Sequence, residues 1–232
     1  MNPQAYFALA VSLFVVWAFL FFFSSSTRKE QMFVSLIGVL LAPGVLYVAL
    51  VDYRRTLPVS GGPITVEDFL FAFSLCGIAA VLYQALLGKH VKRLRGERVI
   101  LHPRHMHWLS QIIIIFAVWA SVSMTLTALF PIASVYAFAV GGLLIATYII
   151  ADRHDLLLNA LVSGLFLSFL VFVLEQIFFT RLFPVDAGSA WQIENLSGIL
   201  LGSVPIEELL WIGTVGFALG PLYEYVRRYQ LK

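Results

Sequence analysis

The chain is poor in charge. Asp, Glu, Lys and Arg make up 12% of its 232 residues, where a soluble domain carries about 25%. It has one cysteine, Cys76, which excludes an intramolecular disulfide and a cysteine-built zinc cluster. No Gly-rich phosphate-binding run is present, so a nucleotide-binding domain is not expected. No lysine lies inside an apolar run: Lys29, Lys89, Lys92 and Lys232 all flank one. That removes a seven-helix retinal protein, which needs a Schiff-base lysine in its last span. What the chain does have is apolar surface. Hydrophobic residues are 60% of the sequence and mean hydropathy is +0.91. A soluble globular enzyme is excluded, and so is disorder. The chain reads as an integral membrane protein.

A hydrocarbon core about 30 Å thick takes roughly 20 apolar residues per helix. Seven segments qualify, at about 5–23, 32–51, 65–87, 108–130, 133–151, 156–180 and 197–226. The fourth and fifth are parted by Pro131, where a helix must stop or kink. Runs such as Ile112–Ile115 do not alternate as barrel strands would, so the spans are expected to be helices. The fold class expected is an all-α membrane protein.

Basic residues orient the spans. All 15 except Arg54, Arg55 and Arg181 fall at the ends that follow the first, third, fifth and seventh spans. The amino terminus is therefore expected outside and the carboxyl terminus in the cytoplasm of a multi-pass cell-membrane protein. Residues 1–23 lack a basic leader and are expected as a retained first span. The basic stretch 89–104 is expected to touch anionic lipid heads. His102, His105 and His107 sit around Pro103, a spacing that fits no helical zinc pair, so no metal is expected.

The third and seventh spans resemble one another. Thr65-Val-Glu67-Asp68-Phe-Leu-Phe71, followed by Tyr83-Gln84, aligns at a fixed offset with Pro205-Ile-Glu207-Glu208-Leu-Leu-Trp211, followed by Tyr223-Glu224. In the charge-based topology both spans run inward. The expected organisation is one membrane domain over 1–232. It has two parallel three-span repeats, 1–88 and 132–232, joined by the basic loop and linker span 89–131.

Ionisable residues inside a membrane are functional candidates. They are Glu67, Asp68, Glu175, Glu207 and Glu208. Acids at a helix start also serve the helix dipole, and Thr65-x-x-Asp68 fits a capping box. Their recurrence at equivalent repeat positions, next to apolar and aromatic residues, argues for chemistry as well. Neighbours on a helix point about 100° apart, so Glu207 and Glu208 do not face one another. A working pair is expected to join one carboxyl of the third span to one of the seventh. Two such groups in an apolar site cannot both ionise easily, which leaves an acid beside a base without metal or cofactor. Phe71 and Trp211, one turn on, could stabilise a carbocation by cation–π attraction. Glu175 could join the same site.

Pro205-Ile-Glu207-Glu208-Leu-Leu-Trp211, its partial copy at Glu67-Asp68 and the duplicated layout resemble the small membrane-embedded lycopene cyclases of archaea, fungi and some bacteria. The lead-in Trp191-x-Ile-Glu-Asn195-x-x-Gly198 is also similar to that family. The resemblance implies a carotenoid cyclase, an isomerase without cofactor, acting on an apolar polyene. By motif, Glu207 and Glu208 carry proton transfer, with Glu67 and Asp68 as first-half counterparts. Trp211, Phe71, Glu175 and Asn195 are expected to bind substrate. Thr65-Val66, Asp68 and Trp211 depart from the family's usual residues. No nucleic-acid partner is expected, and a homo-oligomer is compatible with the sequence.

Other readings fit less well. Membrane proteases of the CAAX-processing type carry Glu-Glu-x-x-x-Arg, but Ile212 stands at the arginine position. A transporter would share duplicated halves, but no span is clearly broken at its centre. The alternative is a non-catalytic carotenoid- or prenyl-lipid-binding or scaffold protein, which would need the aromatics but not the carboxyls.

Overall fold

A chain in hydrocarbon must satisfy its backbone polar groups internally, and apolar runs of this length do so as helices. The computed structural model describes residues 3–55, 64–88, 91–93, 107–184 and 186–231. Among them are seven helical segments long and apolar enough to cross a membrane. The first five are α1 (Pro3–Phe23), α2 (Arg28–Asp52), α3 (Val66–Leu87), α4 (His107–Leu129) and α5 (Ser134–Asp152). The sixth is α6 (Leu157–Glu175), which continues as a π-helical turn, Gln176–Leu182. After a four-residue helix, α7 (Ala187–Ala190), the seventh is α8 (Ile206–Leu219) with α9 (Leu222–Arg227). The protein is a multi-pass, all-α membrane protein. The lipid-head contact expected at 89–104 and the His102–His105 pair lie outside the described residues, apart from the short strand β1 (Val91–Arg93). This strand pairs antiparallel with β4 (Tyr229–Leu231).

The seventh span starts later than its apolar run suggests. Residues 197–205 are not helical: β2 (Leu200–Leu201) and β3 (Val204–Pro205) form a tight hairpin. Gly202, at φ +68°, turns it, and a Cβ there would lie 2.4 Å from Gln176 Oε1. Gln176 in turn donates to Leu201 O at 2.6 Å, docking the hairpin on the π-turn. Helix α8 therefore begins with Glu207 and Glu208 in its first turn. At the start of α3 the expected capping box is present: Asp68 Oδ2 accepts from Thr65 N at 2.8 Å.

The third and seventh spans are the most buried, and α2 and α4 the least. Helix α3 packs on α1, α2, α6 and α8, while α8 packs on α5 and α6. Small residues set the α6–α8 distance. A Cβ on Gly216 would lie 2.5 Å from Ser163 O, so the two backbones touch. At the end of the bundle where α2 finishes, Asp52 caps α5: Ser134 N and Oγ donate to its carboxylate at 2.7 and 2.5 Å. The segment 187–195 lies across the end of α2. Gln192 N donates to Tyr53 O at 2.9 Å, Arg55 N to Ala190 O at 3.0 Å, and Asn195 Nδ2 to Asp52 O at 2.8 Å.

Candidate active site

A cavity of about 790 Å³ runs through the bundle beneath this strap. Its walls are almost wholly apolar, from α2, α3, α4, α5 and α8, and the end beneath the strap carries Asp68, Glu175 and Glu208. Gly44 and Val48 of α2, and Ala120 and Met124 of α4, line it while also being exposed at the bundle surface. The cavity therefore opens sideways between α2 and α4, toward lipid. Along α2 it follows residues 37–49, about 18 Å at 1.5 Å per residue.

Glu208 is buried at the polar end. Its Oε2 accepts from the Tyr53 hydroxyl and from Trp191 Nε1, the latter at 3.0 Å. Glu175, 1% exposed, lies beside Glu208 on the cavity wall, close enough for the two carboxyls to interact. No N–H or O–H among the other described residues donates to Glu175, and its Oε2 is buried without a partner. Burial pushes the Tyr53 phenol well above its usual range, and the Glu208 charge adds to this. Tyr53 is thus held as a hydrogen-bond donor.

Asp68 occupies the other flank. Arg54 Nη1 pairs with its Oδ1 at 2.6 Å, and Tyr6 donates to the same oxygen at 2.9 Å. The guanidinium also stacks over the Tyr6 ring, 4.3 Å from its centroid. Burial alone would lower the Arg54 pKa. Tyr6 and Asp68 outweigh that and hold it above its usual value, so Arg54 stays a cation. Arg54 also feels the Glu208 charge.

Below the acids lie Phe71 and Trp211, ring centroids 6.4 Å apart, both on the cavity wall. Trp211 Nε1 faces the Tyr53 hydroxyl without a hydrogen bond of good geometry.

The structure therefore brings together five of the residues singled out in the sequence: Asp68, Phe71, Glu175, Glu208 and Trp211. It places the other three away from the cavity wall. Glu207 turns to the far side of α8, where Tyr136 donates to its Oε1 at 2.5 Å and Ser197 N at 2.8 Å. Glu67 is half-buried and lines no part of the cavity. Asn195 is exposed and braces the strap. No hydrogen bond among the described residues joins Glu67 or Asp68 to Glu207 or Glu208. The carboxyl that meets Glu208 comes from α6 rather than α3, because Arg54 takes Asp68.

Sequence reading missed Tyr53, Arg54 and Tyr6. The signal for Arg54 was present: with Arg55 and Arg181 it is one of the few basic residues on the sparsely charged side. Trp191 had appeared only as part of a lead-in motif.

A polytopic helical membrane protein with acids at the end of an apolar cavity is the class defined by this fold and site. Residues 133–226 match the family model described as lycopene cyclase. Over that stretch, which is less than half of the chain, the protein is similar to the lycopene cyclases. No curated protein and no solved structure matches it.

Proposed function

We propose that the protein closes ionone-type end rings on a linear, lycopene-type carotenoid by carboxyl acid–base catalysis, with no net redox change. The observation that carries this is the pairing of two buried carboxyls, Glu175 and Glu208, at the end of an apolar cavity open to lipid. A long polyene dissolved in the bilayer enters between α2 and α4. Its end group lies along Phe71 and Trp211, and the rest of the chain extends into lipid. One carboxyl protonates the terminal double bond. The internal double bond attacks the resulting cation and closes a six-membered ring. A carboxylate then removes a proton and leaves the ring alkene. One proton is added and one lost, so the product is an isomer of the substrate. The aromatic faces stabilise the passing positive charge.

Arg54 and Asp68 offset one another, which keeps the net charge at the polar end small. The strap across Tyr53 shields this end from the outer water, so the cation loses a proton instead of gaining a hydroxyl. In the topology supported by the basic residues, the site lies at the outer boundary and residues 89–104 meet anionic lipid in the cytoplasm. The two three-span units descend from one ancestral unit. In support, Gln84 and Glu224, which align in the repeat, also touch across 140 residues.

Expression in a lycopene-accumulating bacterial host, followed by pigment chromatography, tests the function. Conversion of lycopene to ring-bearing carotenoids is expected. Unchanged lycopene that co-purifies with the protein would instead establish a carotenoid-binding role. Reporter fusions test the topology: one after Lys232 should read cytoplasmic, and one near Phe183 external.

A further inference from the structure

The two carboxyls at the cavity end have unequal surroundings, and the difference divides the chemistry between them. Oε2 of Glu208 already accepts two hydrogen bonds, from Tyr53 and Trp191. Both donors point at one oxygen, which therefore acts as an acceptor and is held in a fixed place. Glu175 lines the same cavity wall beside Glu208, receives no such donor among the described residues, and keeps its Oε2 buried without a partner. Two carboxyls in contact hold a shared proton, and a group with no donors of its own keeps it.

We infer that Glu175 is the acid that protonates the terminal double bond, and that Glu208 is the base whose fixed position selects which proton leaves the ring cation. Tyr53 and Trp191 are positioning residues that hold Glu208 in place. The inference rests on the cyclase reading above. The atoms balance: the Glu175 proton goes to the terminal alkene carbon, and one carbon–carbon bond closes the ring. The leaving C–H electrons form the ring double bond, and the proton goes to Glu208. Three neighbouring positions can lose that proton, giving three ring isomers. The isomer formed therefore reports where the base stands. Transfer from Glu208 to Glu175 resets the site.

The test uses the full-length chain in membranes with lycopene in heavy water, comparing wild type with Glu175→Gln, Glu175→Asp, Glu208→Gln and Trp191→Phe. Wild type should place one deuterium in each new ring. Glu175→Gln should lower cyclisation by about 10²–10⁴-fold, the usual worth of a general acid. Its recovered linear substrate should carry no deuterium, and Glu175→Asp should restore part of the rate. Glu208→Gln should also cyclise poorly, but its recovered linear substrate should carry deuterium in the end group, because the acid still delivers it. Trp191→Phe should cyclise with a changed ratio of ring isomers.

Cyclisation by Glu175→Gln at the wild-type rate would overturn the assignment. Deuterium exchange in Glu175→Gln but not in Glu208→Gln would reverse the two roles. A slower Trp191→Phe enzyme with an unchanged isomer ratio would remove base position as the selector. Should Glu175→Gln fail to fold, Glu175→Asp and Trp191→Phe carry the decision: an inactive but folded Glu175→Asp together with an unaltered isomer ratio overturns the inference. If wild type makes no ring at all, the cyclase reading itself fails, which separates the two outcomes.

Discussion

Each end of the bundle holds a pair of buried carboxyls, and the two pairs are built for different tasks. Named by the topology proposed above, the outer pair is Glu175 and Glu208. The inner pair is Glu30 and Glu224, neighbours at the opposite end of the bundle. Amides donate to both members of the inner pair. Gln84 donates to Glu30 at 2.9 Å and to Glu224 at 2.6 Å, and Asn159 adds a donor to Glu224 at 3.3 Å. Neither inner acid lines the apolar cavity. The inner cluster joins α2, α3, α6 and α9 and acts as a polar clamp. The outer pair has a substrate-sized space in front of it, one member fixed by an indole and a phenol, the other without a donor. A buried acid pair thus does not define a catalytic site. What distinguishes the outer one is its place on the wall of an open apolar space.

The largest effect that sharpens this comparison concerns the ion pair beside the outer site. Arg54→Leu leaves Asp68 buried and uncompensated, and should cost about 3–5 kcal/mol in unfolding of the detergent-solubilised protein. Arg54→Leu with Asp68→Leu should recover most of that loss. An unchanged stability in the single variant would show that Asp68 is neutral already.

Next comes the contact between α6 and α8, which keeps Glu175 beside Glu208. Gly216→Ala inserts a methyl group against Ser163 O and should cost about 1–3 kcal/mol. Cyclisation should fall with it, since separating the helices separates the acids. Pigment conversion measured at matched protein levels checks this.

Smaller effects are expected at the inner clamp. Glu224→Gln and Glu30→Gln each replace a carboxyl by an amide of the same shape and should shift stability by about 1 kcal/mol or less. Ring formation should stay close to wild type. A collapse like that of Glu208→Gln would break the comparison and place the inner pair on the proton's route. The smallest change is Trp211→Phe. It removes a buried, unpartnered N–H while keeping an aromatic face, so stability should stay level or rise by up to about 1 kcal/mol. Cyclisation should persist.

The seven spans, the Thr65–Asp68 capping box and the acidic pair of the seventh span were legible in the sequence. Each is local: hydrophobic length, a three-residue spacing and a Pro-x-Glu-Glu motif need no knowledge of the neighbouring helices. The late start of α8 was not legible, because Leu200, Leu201 and Val204 are as apolar as a span. The turn at Gly202 and its docking on Gln176 decide against helix there. That Glu207 and Glu208 diverge followed from the 3.6-residue period. Which of them faces the cavity did not, since this depends on how α8 is rotated against α5 and α6.

By itself, then, the amino-acid order determined a seven-span membrane bundle with a short set of acids near its outer end, because burial in lipid acts on each segment separately. Tertiary structure alone decided the site. It gave Asp68 to Arg54 and Tyr6, turned Glu207 toward Tyr136, and set Glu175 against Glu208 under Tyr53 and Trp191. Hydrogen bonds and ion pairs act over about 3 Å, so residues as far apart in the chain as Tyr53 and Glu208 meet only after the helices have packed.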